Sequence, residues 1–419
     1  MAVNENESFD TPGRPSEFTA DVRDTAEAGG ATAAPIDPTV AMIGGGQLAR
    51  MSAPAAAALG LNLRVLVESD LASAAQVLAD APVGAASDAR AVHELVAPNS
   101  AQPRAAVLTF EHEHIPGELL RQLQAEGLSV QPGPEALLHA QDKLVMRAAM
   151  DQLGLPNPSW AEVSSPADVA AFLDSHGGTA IAKTPRGGYD GKGVRTVTRA
   201  DELDDWLADG PILLEEKVDF VRELAVLIAR RPSGQVAIYP VVETIQRDGV
   251  CSEVIAPAPG LDAAVREAAT AAAEKIAAGL NVTGMLAVEM FQRAEPDASG
   301  NRIAINELAM RPHNSGHWTI EGAVTSQFEN HLRAVLDLPL GSTRPLSEWA
   351  VMVNILGGSR ANLTTGLPLA LSDGEVKVHL YGKEVRPGRK VGHVTALGDD
   401  LDTVRSRAIL TAAQIKEED

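Results

Sequence analysis

The segment Glu307-Leu-Ala-Met-Arg-Pro-His-Asn-Ser-Gly-His-Trp318 places a carboxylate, an arginine, two histidines and an asparagine within twelve residues. It overlaps the end of the apolar run Ile303-Ala-Ile-Asn-Glu307, which predicts a buried strand. Ligand sites concentrate where strands of α/β sheets end, and these residue types suit a metal and an anion. We therefore interpret the segment as part of a binding site, with a solvated polar loop as the alternative.

The strand upstream of this segment carries a second carboxylate. The period of two in a strand puts Ala287, Glu289 and Phe291 on one face, and it puts Ile303, Ile305 and Glu307 on one face of the following strand. A hairpin would bring Glu289 and Glu307 together, and their repulsion is relieved if they share a Mg²⁺ that also binds nucleotide phosphates. Two solvated strand ends are the alternative.

A glycine-rich segment, Gly187-Gly-Tyr-Asp-Gly-Lys-Gly193, lies between two predicted strands at residues 180–183 and 193–197. Glycines let backbone N–H groups turn towards phosphate oxygens, and Lys183, Arg186 and Lys192 supply positive charge. No Gly-Lys-Ser/Thr and no helix follow, so the segment is not a Walker A loop. It is typical of a small lid over a nucleotide, and a plain hairpin turn is the alternative.

The predicted fold begins with a βαβ unit: a strand at residues 39–43, the turn Gly44-Gly-Gly46, a helix from Gln47 to about Leu59, and a strand at residues 63–67. The turn and Ala49 match the G-x-G-x-x-A pattern of dinucleotide-binding folds. An NAD-dependent dehydrogenase is therefore one alternative. The helix amino terminus can equally hold a phosphate or line a substrate cleft.

Composition limits the classes of function. The 419 residues suffice for two or three domains, and a net charge of -21 disfavours a nucleic-acid partner. The single cysteine, Cys251, excludes an intramolecular disulfide and has a strand-like, structural setting. There is no apolar run of eighteen residues and no basic amino-terminal signal, so we expect a cytoplasmic protein without a membrane partner. Residues 1–38, with eight acids against two bases, predict a disordered acidic tail.

Two further motifs and several elements are predicted. Leu214-Glu-Glu-Lys-Val218, followed by Glu223, suits a strand whose backbone meets an adenine edge, and Lys383-Glu-Val-Arg-Pro-Gly-Arg-Lys-Val-Gly-His393 suits a phosphate monoester. A solvated basic loop is the alternative for the second motif. The remaining predicted elements are a helix at 143–153, strands at 105–110, 212–215, 222–229 and 236–242, a helix at 262–280, and strands at 351–356 and 375–381.

Taken together, the glycine-rich segment, residues 306–318, Ser326-Gln-Phe-Glu329 and the basic motif closely resemble the 5-(carboxyamino)imidazole ribonucleotide synthetases, ATP-grasp carboxylases of bacterial purine synthesis. The resemblance covers about residues 39–410. It implies an α/β and α+β protein with the ATP-grasp fold, a Rossmann-like amino-terminal domain and a small β-rich carboxy-terminal domain. The predicted limits are 1–38 for the tail, 39–142 for the Rossmann-like domain, 143–220 for the lid region, 221–345 for the core and 346–419 for the last domain.

The resemblance also implies roles for residues that match the family motifs. ATP is expected to contact Lys143, Lys183, Gly188, Tyr189, Asp190, Gly191, Lys192, Gly193, Val194, Glu215, Glu216, Lys217, Val218, Glu223, Gln246, Asn306 and Glu307. Mg²⁺, or alternatively Mn²⁺, is expected at Glu289 and Glu307. The catalytic set is Arg311, His313 and Asn314 at bicarbonate, with Lys183 and Asp190. The ribonucleotide substrate is expected at Gln47, Glu111, Tyr189, Asp190, Lys383, Arg386, Arg389 and Lys390.

The implied reaction is ATP-dependent carboxylation of 5-aminoimidazole ribonucleotide with bicarbonate through carboxyphosphate, in a homodimer that passes its product to the purine-pathway mutase. Two positions depart from the family pattern: Gln246 replaces a common histidine and Met310 a common proline. A ligase of the same fold acting on another amine or on formate is the nearest alternative. A non-catalytic nucleotide sensor is the other, although the intact Glu289, Glu307 and Lys183 disfavour it.

Overall fold

A computed structural model describes residues 39–97, 103–188 and 193–417, together with the backbone of Val22–Arg23. The predicted acidic tail therefore lies outside the described residues, except for Val22–Arg23, which pairs antiparallel with the strand Val236–Ile238. Four predicted ligand-binding residues, at positions 189–192, also lie outside the described ranges. No helix in the described ranges is long and apolar enough to cross a membrane.

The amino-terminal unit is a parallel four-stranded sheet with helices around it. Every residue of its central strand, Thr39–Ile43, is buried, as expected for a continuous apolar run in a parallel sheet. The strand order is Asn62–Leu66, Thr39–Ile43, Val107–Phe110 and Ser129–Val130. The helices are Gln47–Ala58, Ala89–Val96, Gly117–Ala125, Pro134–Gln141 and Lys143–Gln152. The predicted βαβ unit is thus present, with its helix and second strand each ending one residue early.

The lid is a separate four-stranded antiparallel sheet with the order Trp160–Val163, Ile212–Glu216, Ala180–Lys183 and Val194–Val197. The predicted hairpin around the glycine-rich loop is confirmed, because Lys183 pairs with Val194 and Ala180 with Val197. Its outer layer consists of the helices Pro166–Ser175 and Asp204–Leu207 and the 3₁₀ turn Ala200–Leu203. Apolar residues from both layers form one core inside the lid, between its sheet and its helices.

The largest sheet has ten strands and continues across the predicted boundary at residue 346. Its strands are Val22–Arg23, Phe220–Arg230, Val236–Ile238, Val242–Arg247, Val250–Ala256, Gly284–Arg293, Ile303–Ala309, Trp349–Leu356, Val376–Leu380 and Lys390–Gly398. The helices are Ala263–Gly279, Thr319–Gly322, Gln327–Val335, Leu367–Ala370 and Leu401–Lys416, with 3₁₀ turns at Asn314–Gly316 and Leu363–Gly366. Strands from both sides of residue 346 share this sheet, so the sheet does not mark a domain limit at that position. The predicted domain limits remain predictions.

Two details of the predicted secondary structure are wrong. The single strand at 236–242 is two strands, Val236–Ile238 and Val242–Arg247, with Pro240 between them, and proline cannot donate to a ladder. The helices Gln327–Val335 and Leu401–Lys416 were not predicted. The second of these covers one face of the carboxy-terminal strands, so this region is less purely β than the sequence suggests.

The hairpin of Gly284–Arg293 and Ile303–Ala309 also departs from regular alternation. Glu289 lies opposite Glu307, but Met290 lies opposite Ile305, which leaves Asn306 as the extra residue of a β-bulge. The bulge changes the phase, so Ile305 packs in the core with Met290 while Glu307 shares the face of Glu289. The prediction that Ile303, Ile305 and Glu307 share one face is therefore wrong, although the predicted pairing of the carboxylates is correct.

Candidate active site

The two predicted metal-binding carboxylates face each other across the hairpin. The Glu289 side chain is 24% exposed and that of Glu307 is 49% exposed. Burial, followed by the nearby charges of Glu307 and Glu223, raises the pKa of Glu289 to about 8. A cation between the two carboxylates would reverse this electrostatic cost, and hard oxygen ligands are those that Mg²⁺ prefers. No cluster of three or more His, Cys, Asp or Glu suited to a metal occurs in the described ranges.

The predicted phosphate-binding Lys183 lies at the end of a lid strand and reaches the core strand. Its Nζ is 2.8 Å from Glu215 Oε2 and 3.1 Å from Asn306 Oδ1. Three of the predicted nucleotide-binding residues are therefore joined in one network. The position of Asn306 in the bulge places its amide beside Lys183, since the bulge adds a residue on the site side of the strand.

The beginning of the helix Lys143–Gln152 anchors the entry of the glycine-rich loop. Lys143 Nζ donates to the Gly187 carbonyl at 3.0 Å and lies 3.9 Å from Glu307 Oε1. Positive φ angles at Gly187, Gly188 and Gly193 give the loop its shape. A cleft of about 300 Å³ opens here, lined among others by Glu113, Gln141, Lys143, Arg186, Gly188 and Glu307. Lid, core and amino-terminal unit therefore meet at a single cleft.

The histidine-rich segment lies on the other side of the carboxylate pair. His313 Nε2 is 3.6 Å from Glu289 Oε1, and Arg311 Nε is 3.3 Å from Glu113 Oε2. Burial, together with Arg311 and Lys390, holds the pKa of His313 well below its usual value, so the imidazole is neutral. Arg311 thus supplies the positive charge of this segment, and His313 supplies an uncharged hydrogen-bonding group.

Gln327 fixes the shape of the histidine-rich segment. It is fully buried, its Oε1 accepts from the His313 backbone N–H at 2.9 Å, and its Nε2 donates to the His313 carbonyl at 2.8 Å. The same Nε2 lies 3.2 Å from His317 Nδ1. Sequence reasoning placed Gln327 in a family motif without giving it a role, whereas the structure makes it the clamp that holds the loop.

Asn314, the third predicted bicarbonate residue, is 8% exposed, and neither of its amide atoms makes a hydrogen bond of normal geometry. It lies beside Cys251, whose pKa is raised to about 12, chiefly by burial. A thiol with this pKa stays protonated at neutral pH, in agreement with the predicted structural role of Cys251. Asn314 therefore lies buried at this end of the site, with the Cys251 thiol as its neighbour.

The basic motif is divided by the structure instead of forming one cluster. Lys383 Nζ contacts Gln47 Oε1, which brings together two predicted substrate residues from the first and last domains. Arg386 is exposed and paired with Glu384, and Arg389 donates to the Glu384 carbonyl at 3.2 Å. Lys390 lies further inward, where its charge lowers the pKa of both Glu289 and His313.

The turn Gly44-Gly-Gly46 is occupied by a side chain of the protein itself. Glu111, only 9% exposed, accepts from the backbone N–H of Gly46, and its Oε2 accepts from that of Ala49 at 3.0 Å. The carboxylate therefore fills the helix amino terminus, where a dinucleotide pyrophosphate would bind. A Cβ at Gly44 would approach Glu111 Cγ to 2.5 Å, so the glycines accommodate the Glu111 loop.

The remaining predicted nucleotide residues lie at the end of the lid strand Ile212–Glu216, just after it, and on two strands of the large sheet. Glu216 Oε1 is 2.6 Å from Arg293, Lys217 is exposed and Val218 is buried. Glu223 lies on the core strand, where its pKa is raised by burial despite a hydrogen bond from Gln246. The family departure at Gln246 therefore keeps a polar contact with Glu223.

Two functional candidates were not recognised in the sequence. Arg147, whose guanidinium contacts Glu215, carried only the weak signal of a charged residue within the apolar pattern of a helix. Glu113, the partner of Arg311, belongs to none of the motifs singled out in the sequence. Both act through contacts between segments far apart in the chain, which a sequence does not display.

Models of known protein families match the amino-terminal, central and carboxy-terminal parts of the chain. Family models match in chain order: a ribonucleotide synthetase pre-ATP-grasp domain at 38–141, an ATP-grasp domain at 148–328, and a phosphoribosylaminoimidazole carboxylase C-terminal domain at 350–407. The fold and site therefore define an ATP-dependent ligase of the ATP-grasp class.

Relatives specify the family further. The N5-carboxyaminoimidazole ribonucleotide synthase of Mycobacterium bovis is 48% identical over 393 residues, covering 90% of this chain and 87% of the relative. The synthetase structure from Thermus thermophilus is 39% identical with a TM-score of 0.79, covering 90% of this chain and 99% of the other. The Aspergillus clavatus synthase in complex with ADP and 5-aminoimidazole ribonucleotide has a TM-score of 0.79 at 29% identity, with coverages of 90% and 99%. The chain belongs to the N5-carboxyaminoimidazole ribonucleotide synthase family.

Proposed function

We propose that this protein uses ATP to carboxylate 5-aminoimidazole ribonucleotide with bicarbonate, and that Glu289 and Glu307 hold the Mg²⁺ of Mg·ATP. The observation that carries the proposal is the bulged hairpin. It sets Glu307 opposite Glu289, with Lys183 and Asn306 on one side and His313 on the other. Phosphates and bicarbonate would thus meet at one pair of carboxylates.

The first step requires positional and electrostatic catalysis more than covalent chemistry by the protein. A bicarbonate oxygen attacks the γ-phosphorus of ATP, the bond to the ADP oxygen breaks, and carboxyphosphate forms. Lys183 and Lys143 lie where they would neutralise phosphate charge, and Arg311 would orient the bicarbonate anion. Mg²⁺, when bound, would draw charge from the phosphate oxygens.

The second step transfers the carboxyl group to nitrogen. The exocyclic amine of the ribonucleotide forms a bond to the carboxyl carbon, phosphate leaves, and the amine loses a proton. Neutral His313, with the amide of Asn314 next to it in the chain, would provide hydrogen bonds without adding a charge that would trap the leaving phosphate. Water destroys carboxyphosphate, so the glycine-rich lid is expected to close before transfer.

The contacts of the ribonucleotide itself follow from the family motifs. Gln47 and Lys383 come together from opposite ends of the chain, which supports a phosphate-binding position between the first and last domains. The roles expected for Tyr189 and Asp190 remain predictions. Homodimerisation, transfer of the product to a purine-pathway mutase and a cytoplasmic location also remain predictions.

Phosphate release by the purified full-length protein tests the proposal. Release from Mg·ATP should require both 5-aminoimidazole ribonucleotide and bicarbonate, with buffer depleted of bicarbonate as the control. Release that needs bicarbonate but not the ribonucleotide would mean that carboxyphosphate forms and is hydrolysed by water, and it would contradict the ribonucleotide as the required acceptor. Binding of Mg·ATP without release under any condition would favour the nucleotide sensor. The dehydrogenase alternative is disfavoured because Glu111 occupies the position of the pyrophosphate.

A further inference from the structure

Arg147 is a fully buried arginine in the helix Lys143–Gln152. Its Nε donates to Glu215 Oε1 at 2.6 Å, its Nη1 to the Ile305 carbonyl at 2.7 Å, and its Nη2 to the Asn306 carbonyl at 2.9 Å. Buried ion pairs contribute little net stability compared with well-packed apolar side chains. A fourth acceptor is Asn157 Oδ1, 3.0 Å from Nη1. The arrangement points to a role beyond packing, because the other three acceptors lie on the two strands that carry the site.

The first consequence concerns charge. Glu215 is 3% exposed and shares its two oxygens between Arg147 and Lys183. Burial alone would raise the pKa of Glu215, but Arg147 and Lys183 outweigh it and keep the pKa lowered. Two cations around one carboxylate leave a net positive charge. Arg147 thus neutralises Glu215, and the charge of Lys183 remains available to phosphates.

The second consequence concerns the backbone. A bulge removes carbonyl groups from the regular ladder, and buried carbonyls need partners. The two carbonyls that Arg147 binds belong to Ile305 and to Asn306, the extra residue of the bulge. The same bulge places Glu307 opposite Glu289. Arg147 therefore holds the β-bulge on which the pairing of Glu289 with Glu307 depends.

We propose that Arg147 is a positioning residue for the nucleotide site. It keeps Lys183 available to phosphates through Glu215, and it fixes the bulge that presents Asn306 and Glu307. This inference rests on the proposed role of these residues at Mg·ATP, and it adds a residue that acts on the site entirely through others.

Calorimetric binding of Mg·ADP to the full chain tests the charge argument. In Arg147→Met, Glu215 is left with Lys183 as its only cationic partner, and we expect at least about a tenfold loss of affinity, the size of a charged hydrogen bond. Arg147→Lys keeps a cation beside Glu215, and we expect it to retain most of the affinity that Arg147→Met loses. A lysine variant that binds Mg·ADP no better than the methionine variant would overturn the charge argument.

Arg147→Lys separates the two consequences. The lysine keeps the positive charge beside Glu215 but cannot form the planar fork to two carbonyls. We expect Mg·ADP affinity at saturating Mg²⁺ to stay within about threefold of wild type, with a higher Mg²⁺ concentration for half-maximal binding. An unchanged Mg²⁺ requirement would overturn the role in the bulge. Should Arg147→Met fail to fold, the lysine variant still carries the test.

Arg64→Met is a matched control. Arg64 is also buried, at 2% exposure, and its Nε is 2.8 Å from Asp80 Oδ2 in the amino-terminal unit. Its loss should lower stability while leaving Mg·ADP affinity unchanged, and an equal loss of affinity in this variant would make the effect of Arg147 merely structural. Wild-type protein that binds Mg·ADP without ribonucleotide-dependent phosphate release would contradict the proposed function and leave this inference intact.

Discussion

Replacing Glu289 with glutamine tests whether the protein keeps its carboxylate pair at a cost in stability. Without a cation, the pKa of Glu289 is raised from 4.5 to about 8, first by burial and then by the charges of Glu307 and Glu223. Glutamine has nearly the same shape and no charge. We therefore expect Glu289→Gln to raise the free energy of unfolding in metal-free buffer while abolishing Mg²⁺-dependent phosphate release.

The sign and size of the effect follow from proton linkage. The folded protein binds the Glu289 proton more tightly than the unfolded chain does, so wild-type stability falls as pH rises from 4.5 to about 8. At about 1.4 kcal/mol per pH unit, the cost at pH 7 is about 3 kcal/mol. The side chain is 24% exposed, so water screens part of this cost, and about 2 kcal/mol is the expected gain.

Urea denaturation in EDTA between pH 5 and pH 8, followed by tryptophan fluorescence, measures this difference. The gain of Glu289→Gln over wild type should be small at pH 5 and grow to about 2 kcal/mol or more at pH 8. The exposed strand residue Glu162 provides the control, since Glu162→Gln should change neither stability nor its pH dependence. A difference that stays constant across this pH range would refute the assignment of the cost to a buried carboxyl.

Three further outcomes are expected. Burial lowers the pKa of His331 from 6.5 to about 3, so the folded protein becomes less stable as pH falls below 6.5. The free energy of unfolding, measured by urea denaturation, should therefore fall by about 2 kcal/mol less in His331→Gln than in wild type between pH 7 and pH 5. Gly44→Ala should lower the free energy of unfolding by about 2 kcal/mol, because φ is +105° and the Cβ meets Glu111, whereas Gly60→Ala, with open space around it, should cost less. Arg311→Ala should bind Mg·ADP normally in calorimetry but lose bicarbonate-dependent phosphate release about a hundredfold, and unchanged turnover would remove it from the bicarbonate site.

The sequence predicted those parts of the site that lie within single segments. The strand ending at Lys183, the glycine-rich loop and the histidine-rich segment carry their own residue types and spacing, and the hairpin of Glu289 and Glu307 joins neighbours in the chain. Their pairing was predicted correctly even though the reason given for it was incomplete. The bulge at Asn306 produces no signal in the apolar pattern, because the residues around it are compatible with a regular strand.

No contact between distant segments was predicted directly, although Gln47 and Lys383, which the structure brings into contact, were both expected at the ribonucleotide. The basic motif shows the limit most clearly. Its four cations are close in sequence, but the structure pairs Arg386 and Arg389 with Glu384 and turns Lys390 towards Glu289. Residues that are close along the chain can point in different directions when some lie in a turn and others in a strand, as the four cations of this motif do.

The amino-acid sequence by itself predicted the strands, the lid hairpin and the polar residue types of the candidate site, because local periodicity, glycine content and motif spacing encode them, and the resemblance of its motifs to a known family implied the ATP-grasp fold class. Only the tertiary structure decided that Arg147 neutralises Glu215 and that Glu111 fills the glycine turn. The physical reason is burial. A charge removed from water must find its partner wherever the fold brings one, and the partner of Arg147 lies 68 residues away along the chain.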